Sequence, residues 1–187
     1  MNGKPSAIIL VGFSTTGKTQ VGSRVARLLG WEYVDTDAEI ESMAGKPIPK
    51  IFAQDGEPVF REMERKALLA ACQREKVVIA TGGGAVLDPA NRELMSRRGM
   101  VVCLDAEPGT IYQRLRRDAD NPVLPVIRPL LNVPDPLGRI QELKASREPF
   151  YSFAHFIIKT DNLVVEAASE EVVRRWSAGG GGKGERC

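Results

Sequence analysis

The sequence predicts an α/β fold, a five-stranded parallel sheet with helices on both of its faces. Two observations predict it. Five short apolar segments alternate with segments of helical periodicity, which is the order that builds a doubly wound parallel sheet. The first of these segments, residues 7–11, is apolar at every position, as expected for a parallel strand that is buried on both faces.

The first strand leads into a phosphate-binding P-loop, G-x-x-x-x-G-K-T, at residues 12–19. Gly12 and Gly17 let the backbone adopt conformations that a side chain would block, so that amide N–H groups converge on phosphate oxygens. Lys18 brings a positive charge to the β- and γ-phosphates, and the Thr19 hydroxyl can ligate Mg²⁺. A helix follows and is predicted to stop at Gly30. The candidate nucleotide-binding residues are Gly12, Ser14, Thr15, Thr16, Gly17, Lys18, Thr19 and Gln20.

A chance match to this pattern in a glycine-rich chain is the alternative, and the flanking strand and helix argue against it. A chain of 187 residues suits one domain, here residues 1–178, followed by a glycine-rich tail at 179–187 that we expect to be disordered. The hydrophobic content of 43% and the charged content of 27% are ordinary for a soluble globular protein.

Charge and cysteine content exclude several classes of protein. The net charge of +2 comes from interspersed acids and bases, which argues against a dedicated nucleic-acid surface. No apolar run has the length of a membrane helix, and the first strand begins too early for a signal peptide. Cys72, Cys103 and Cys187 form no C-x-x-C pair, so neither zinc nor a disulfide framework is indicated. We expect a cytoplasmic protein that is a monomer and binds neither nucleic acid nor membrane.

Two carboxylates follow the second predicted strand, which covers residues 31–34. Asp35 and Asp37 point to the same side if the extended conformation continues. Ligands of open α/β sheets bind beyond the carboxyl ends of the strands, where the P-loop also lies. One carboxylate could therefore support Mg²⁺ through water, and the other could take a proton from an attacking hydroxyl. The alternative is that Asp37 only caps a helix that begins at Ala38.

A helical segment then connects the second and third strands and is longer than a simple crossover requires. It comprises a short amphipathic helix at 38–44, a helical turn and loop at 49–57, and a longer helix from 58 to about 74. This length predicts a small helical insert over the site. Arg61 and Glu64 are three residues apart, and they form either a surface ion pair or an arginine site within a cleft.

The third predicted strand, residues 77–81, ends in Gly82, Gly83 and Gly84. Three glycines at the carboxyl end of a strand indicate that a substrate or phosphate approaches the backbone closely, although a plain loop is the alternative. A helix at 89–98, a fourth strand at 100–104 and a helix at 108–117 follow.

The segment 118–132 contains three prolines and Arg128 and has no clear periodicity. A loop of this length in a compact domain is usually functional, so it is a candidate lid that would bring Arg128 to the transferred phosphate. A solvated connection is the alternative. The chain then predicts a helix at 136–147 that ends over 148–151, a fifth strand at 153–160 and a closing helix at 166–176. His155, the sole histidine, is assigned no role.

Several motifs in this order resemble one known family. They are the P-loop, Asp35-Thr36-Asp37, the segment from Ile51 to Glu64, Gly82-Gly83-Gly84-Ala85-Val86, Arg128-Pro129-Leu130-Leu131, and Arg147 followed by Pro149 and Tyr151. The set is similar to the shikimate kinases, within the nucleoside-monophosphate-kinase-like group of P-loop kinases, from about Ile8 to Val173. The resemblance implies a P-loop NTPase fold with a substrate-binding insert at about 38–65 and a mobile lid at about 118–132.

The same resemblance implies the reaction. Shikimate kinases use ATP and Mg²⁺ to phosphorylate the 3-hydroxyl of shikimate, giving shikimate 3-phosphate and ADP in aromatic amino-acid (chorismate) biosynthesis. Arg61 and Arg147 would clamp the substrate carboxylate. Asp37, with the backbone of Gly82, Gly83 and Gly84, would hold ring hydroxyls, and Phe52 and Phe60 would form an apolar wall.

Catalytic and nucleotide roles follow from the resemblance as well. Asp37 would orient the reacting hydroxyl, while Lys18 and Arg128 would neutralise charge on the transferred phosphoryl group. Mg²⁺ would sit on Thr19 and the nucleotide, with Asp35 behind a water molecule. Arg117 would lie near the adenine.

The chain departs from the family's pattern in two places. A glycine usually stands where this chain has Thr15, and the altered loop could weaken ATP binding. The segment between Arg117 and Arg128 is also longer and richer in proline and apolar residues than is usual. Two alternative functions remain at this point: a kinase of gluconate, another small polyol or a nucleoside monophosphate, and a homologue that binds nucleotide without catalysis.

Overall fold

A computed structural model of the chain describes residues 6–119, 129–131 and 133–179. Over these residues it contains five strands and eight α-helices, with single 3₁₀ turns at Ala85–Leu87 and Pro129–Leu131. In chain order they are β1 (Ala7–Val11), α1 (Lys18–Leu29), β2 (Glu32–Asp35), α2 (Thr36–Ala44), α3 (Ile48–Gln54), α4 (Gly56–Ala71), β3 (Val77–Ala80), α5 (Pro89–Arg98), β4 (Met100–Asp105), α6 (Pro108–Ala119), α7 (Pro136–Tyr151), β5 (Phe156–Lys159) and α8 (Val165–Ser177).

The sheet has the order β2-β3-β1-β4-β5, and every pair of neighbouring strands is parallel. β1 is the central strand, where Ile9 pairs with Ile79 on one side and with Val101 on the other. The chain leaves β1 toward β2 on one side and later crosses to β4 on the opposite side. The carboxyl end of β1 is therefore the switch point of the sheet, where open α/β folds bind their ligands.

Alternate residues of β1 supply two separate cores, because successive side chains of a strand point to opposite faces. Ile9 packs with Leu68 of α4 and Met95 of α5, and Tyr151 of α7 joins the same cluster. On the other face, Ile8 and Leu10 belong to a cluster with side chains of α1 and α8, among them Val25 and Val172. Helices thus cover both faces of the sheet. Because β1 is buried on both faces, each of its residues is apolar.

Two smaller clusters attach the elements that frame the carboxyl edge of the sheet. Ile40, Ile51, Phe60 and Ala67 join α2, α3 and α4, which together form the helical segment predicted from the sequence. Phe13 of the P-loop packs with side chains of α6 and α7 in the second cluster, which contains Phe13, Ala106, Ile111, Leu115, Leu131 and Ile140. The site is therefore bordered by packed helices on two sides.

The predicted sheet of five parallel strands with helices on both faces is confirmed, but several element boundaries differ, among them that of α4, which begins at Gly56 and ends at Ala71 instead of running from 58 to about 74. α2 begins at Thr36, because Asp35 caps it by accepting the backbone N–H of Asp37. α7 continues past Arg147 through Pro149 and ends at Tyr151, the last residue of the segment 148–151 that was predicted to end it. A proline removes one helical hydrogen bond near the end of a helix, and the Ser152 hydroxyl satisfies the Pro149 carbonyl there at 2.7 Å.

The fifth strand begins at Phe156, three residues later than predicted at Phe153. His155 precedes it, and its Nδ1 accepts the backbone N–H of Val101 at 3.0 Å. Burial lowers the pKa of this imidazole.

The central part of the predicted lid, residues 120–128 and 132, lies outside the described residues, and so does the predicted tail from residue 180. Arg128 is therefore not described. Among the helices that the structure describes, none combines the length and the apolar character that spanning a bilayer requires.

Candidate functional site

The P-loop wraps the carboxyl end of β1, and its two glycines occupy backbone conformations that other residues rarely adopt. Gly12 has φ +140° and Gly17 has φ +98°. A Cβ at Gly12 would collide with the carbonyl oxygen of Leu104 at the end of β4. Gly12 therefore lets the loop pass closely over the sheet edge, and Gly17 starts α1 so that its N-terminus faces the loop.

Lys18 lies in the first turn of α1, and 9% of its surface is exposed. Its Nζ donates to the carbonyls of Gly12 and Phe13 at 2.9 and 2.7 Å. Thr16, which is also buried, donates its hydroxyl to the Phe13 carbonyl at 2.8 Å. The loop is thus folded around its own lysine, which keeps an ammonium group where phosphate oxygens would arrive.

Asp35 ends β2 and gathers three donors. Its Oδ2 accepts the hydroxyl of Thr19 at 3.0 Å and that of Tyr33 at 3.2 Å, while its Oδ1 accepts the backbone N–H of Asp37 at 3.1 Å. Burial, followed by the Asp35 charge, raises the pKa of Tyr33 well above its ordinary value, so this phenol stays a donor. The alternative that Asp37 caps the helix is wrong: Asp35 is the cap, and the Asp37 side chain lines the cavity described below.

The three glycines after β3 each leave space for a different group of the site. A Cβ at Gly82 would lie 2.6 Å from Oδ1 of Asp37 and 3.0 Å from Oε1 of Glu64. At Gly83 it would lie 3.2 Å from the backbone nitrogen of Ser14 in the P-loop, and at Gly84 it would overlap the guanidinium of Arg61. A close approach was predicted for this segment, and protein groups are what approach it here.

Arg61 projects from α4 and is held by two carboxylates. It donates to Glu64 at 2.9 Å and to Glu57 at 2.9 and 3.2 Å. The side chain of Glu64 is 2% exposed, so this contact is not the surface ion pair that the sequence left open. Burial raises the pKa of Glu64 although Arg61 and Arg147 oppose the shift. Its Oε1 is buried and accepts no hydrogen bond from the described residues.

Arg147 reaches the same place from α7, 86 positions later in the chain than Arg61. It is 5% exposed, and its Nη1 donates to the carbonyl of Gly83 at 3.2 Å. Its guanidinium carbon lies 5.3 Å from the centre of the Phe13 ring. Burial lowers the pKa of Arg147, and the nearby Arg61 acts in the same direction. A buried arginine in this setting favours a bound anion.

These groups surround one cavity of about 370 Å³ at the carboxyl edge of the sheet. Phe52 and Phe60 form an apolar wall with ring centres 4.6 Å apart. The predicted site residues that line the cavity are Ser14, Thr19, Asp35, Asp37, Phe52, Phe60, Arg61, Gly82, Gly83, Gly84 and Arg147. The fold thus brings residues from five separate segments of the sequence to one place.

The other predicted site residues lie elsewhere. Gly12, Thr15, Thr16, Gly17 and Lys18 form the P-loop beside the cavity. Gln20 is exposed on α1, and Arg117 is exposed in the last turn of α6.

Two contributors to the site were assigned no role from the sequence. Glu64 was noted three residues from Arg61 and within the segment that resembles the family's substrate-binding segment, but it was not included among the site residues. Phe13 was assigned no role, yet it is 2% exposed and the Arg147 guanidinium lies over its ring. An aromatic residue inside a glycine loop gives no sign of the distant cation that it contacts.

Comparisons with known proteins agree with this geometry. The shikimate kinase family model matches residues 14–177. A shikimate kinase from Caldanaerobacter subterraneus is 41% identical over 90% of this chain and 95% of its own length. One from Symbiobacterium thermophilum is 44% identical over 90% of this chain and 94% of its own length.

Solved structures lead to the same family. The shikimate kinase from Acinetobacter baumannii in complex with shikimate superimposes with a TM-score of 0.86 at 36% identity and covers 95% of both chains. A gluconokinase from Sinorhizobium meliloti has a TM-score of 0.57 at 15% identity over 94% of this chain and 93% of its own, a likeness that shows the fold alone. On these matches, and with the P-loop beside a cavity that contains two arginines, this chain belongs to the shikimate kinase family.

Proposed function

We propose that this protein transfers the γ-phosphoryl group of ATP to the 3-hydroxyl of shikimate, giving shikimate 3-phosphate and ADP. The proposed activity follows from membership of the shikimate kinase family. The observation that supports its assignment to this site is the convergence of Arg61 and Arg147 in one cavity beside the P-loop. A substrate held there by its carboxylate would lie next to the phosphate-binding loop, where phosphoryl transfer requires it.

The two arginines suit a carboxylate-bearing substrate. Arg61 is already paired with Glu57 and Glu64, so its position is set before a substrate binds. Arg147 bonds the Gly83 carbonyl, and no carboxylate among the described residues forms a salt bridge with it. We assign Arg147 the stronger contact to the substrate carboxylate, with Arg61 as its partner, because a buried arginine gains most from an incoming anion.

Asp37 is the group that we assign to the reacting hydroxyl. It follows the cap residue of α2 and faces Gly82, which leaves room for it. Its carboxylate would accept the proton of the hydroxyl or orient that hydroxyl for attack. Phosphoryl transfer requires positioning and charge neutralisation more than covalent chemistry, and Lys18 would supply that charge from the P-loop.

A magnesium ion fits the oxygen groups at the end of β2. Thr19 and Asp35 are hard oxygen ligands joined by a hydrogen bond of 3.0 Å, and such groups suit Mg²⁺ that keeps most of its water. We propose that Thr19 binds the ion and that Asp35 acts through water. When bound, the ion would neutralise charge on the β- and γ-phosphates.

The remaining assignments are proposals from the family resemblance. Arg128 would reach the transferred phosphate from the lid at 118–132, and Arg117 would lie near the adenine. Residues 1–178 would form one kinase domain, with the substrate-binding insert at 38–65. We also propose that the protein acts as a monomer in the cytoplasm.

A coupled assay of ADP release with Mg-ATP tests the reaction and its substrate. Shikimate, gluconate and nucleoside monophosphates are compared at equal concentrations, and we expect turnover with shikimate alone. Asp37→Asn serves as the site control and should lower kcat with shikimate about a hundredfold or more. Turnover of gluconate in place of shikimate would overturn the assignment, and so would ATP binding without turnover of any of them.

A further inference from the structure

Thr15, in the middle of the P-loop, has a left-handed backbone with φ +61°. Apart from glycines, only Lys76 shares a positive φ among the described residues, and it is an exposed, unbranched residue in a turn. A β-branched residue rarely adopts this conformation, because its Cβ substituents crowd the backbone. Such a conformation persists only where surrounding contacts hold it.

Two contacts hold Thr15, and both come from α6. The Thr15 hydroxyl donates to the carbonyl of Ile111 at 3.3 Å. Nη1 of Arg114 approaches the Thr15 carbonyl at 3.5 Å, and Arg114 also donates to the hydroxyl and carbonyl of Thr160 at 3.0 and 2.6 Å. The Thr160 hydroxyl in turn lies 3.1 Å from the carbonyl of Asp105 and 3.3 Å from that of Thr16. The contacts from α6 therefore hold the loop from outside at Thr15.

We propose that Thr15 is a positioning residue for the nucleotide: its hydroxyl, with Arg114, fastens the P-loop to α6 and holds the loop in its phosphate-binding conformation. A P-loop binds phosphate through its own backbone N–H groups, so the population of the correct backbone determines the apparent affinity. The side chain at this position opposes the left-handed backbone, and the contact to Ile111 offsets that cost.

This inference rests on the proposed ATP-dependent function and predicts an unusual order of substitutions. Thr15→Val keeps the β-branch and loses the hydroxyl, so the left-handed backbone keeps its steric cost without its contact. We expect it to raise the Kd for ADP about fivefold. Thr15→Gly loses the same hydroxyl but adopts a positive φ at no steric cost, and we expect a rise of less than about twofold.

The measurement is calorimetric titration of the whole protein with ADP, without shikimate. In the kinase assay the KM for ATP should rise in the same order, while the KM for shikimate stays constant. A general loss of stability would not change one KM and leave the other constant. Arg114→Ala should also weaken ADP binding, and Arg116→Ala is its matched control because Arg116 is an exposed residue of the same helix.

Two failures are distinguishable. If the parent protein binds no ADP, the proposed function fails and this inference fails with it. If the parent binds ADP and Thr15→Val binds it equally well, or Thr15→Gly binds it as weakly as Thr15→Val, only the positioning role is overturned. Melting temperatures of the three proteins show whether each variant is folded under the conditions of the titration.

Discussion

The nucleotide side and the substrate side of this site are built in different ways. The nucleotide side is one continuous loop, residues 12–19, whose backbone N–H groups would bind the phosphates. Its lysine, Lys18, donates hydrogen bonds to carbonyls of the same loop. The side that we propose binds the substrate consists of side chains from α2, α3, α4 and α7 and of the glycines after β3. A continuous loop can be recognised as a motif, whereas side chains from separate elements acquire a common purpose only when the fold brings them together.

This difference predicts that substitutions on the two sides separate in kinetics. Changes to the charge of the P-loop should lower kcat, because that charge would act on the transferred group. Changes to the arginines should raise the KM for shikimate, because their proposed contacts to its carboxylate would exist both before and during the reaction.

Lys18→Ala should have the largest effect and lower kcat about a thousandfold, since it removes the positive charge that would face the transferred phosphoryl group. Steady-state kinetics at saturating shikimate measure the loss. Circular dichroism must show that the variant is folded, because Lys18 also satisfies the Gly12 and Phe13 carbonyls. A variant that retained a tenth of the parent's kcat would remove Lys18 from the catalytic residues.

Arg147→Lys should raise the KM for shikimate about thirtyfold, because lysine cannot make the forked contact to a carboxylate. Arg61→Lys should raise it less, about tenfold, since Glu57 and Glu64 already use several of the Arg61 donors. Both variants should keep the parent's KM for ATP. An equal rise in both KM values would show that the two sides are not separate.

Tyr33→Phe should have a smaller effect on the nucleotide side. It removes one of the three hydrogen bonds that orient Asp35, and we expect about a threefold rise in the Mg²⁺ concentration that half-saturates tight ADP binding. Calorimetric titration of ADP at several Mg²⁺ concentrations measures it. Tyr112→Phe, which alters a phenol that packs in the cluster around Phe13, is the matched control. Equal Mg²⁺ dependence in both variants would contradict the role of Tyr33.

Glu64→Gln should produce the smallest effect, visible as a pH dependence of stability. Burial raises the folded-state pKa of Glu64, so its protonated form is the one that folding favours. The contribution of Glu64 to stability is therefore fully present below its unfolded pKa of about 4.3 and is lost as pH rises through the raised value. The melting temperature of the parent minus that of the variant should fall as pH rises above the unfolded pKa of Glu64. A difference that rises over this range would contradict the direction of the shift.

The fold and the P-loop side of the site could be predicted from the sequence, because both depend on residues that are close together in the chain. The apolar run of β1 and the P-loop after it depend on neighbouring residues, and so does the stop of α1 at Gly30. Boundaries near prolines could not be read in this way, as the continuation of α7 through Pro149 shows. Its end depends on which tertiary contacts stabilise the last turn, and Tyr151 packs in the sheet core there.

The sequence by itself determined the parallel sheet and the P-loop with Lys18, and it supplied the motifs on which the proposed substrate contacts rest, because each depends on local spacing or on a motif. Only the tertiary structure decided that Arg147 rests on Phe13 and that Glu64 is buried behind Arg61. It also decided that Thr15 takes a left-handed backbone held by α6, a helix that begins 93 positions later in the chain. The physical reason is that burial and contacts between distant segments arise when the helices pack on the sheet, and residue spacing along the chain carries no record of that packing.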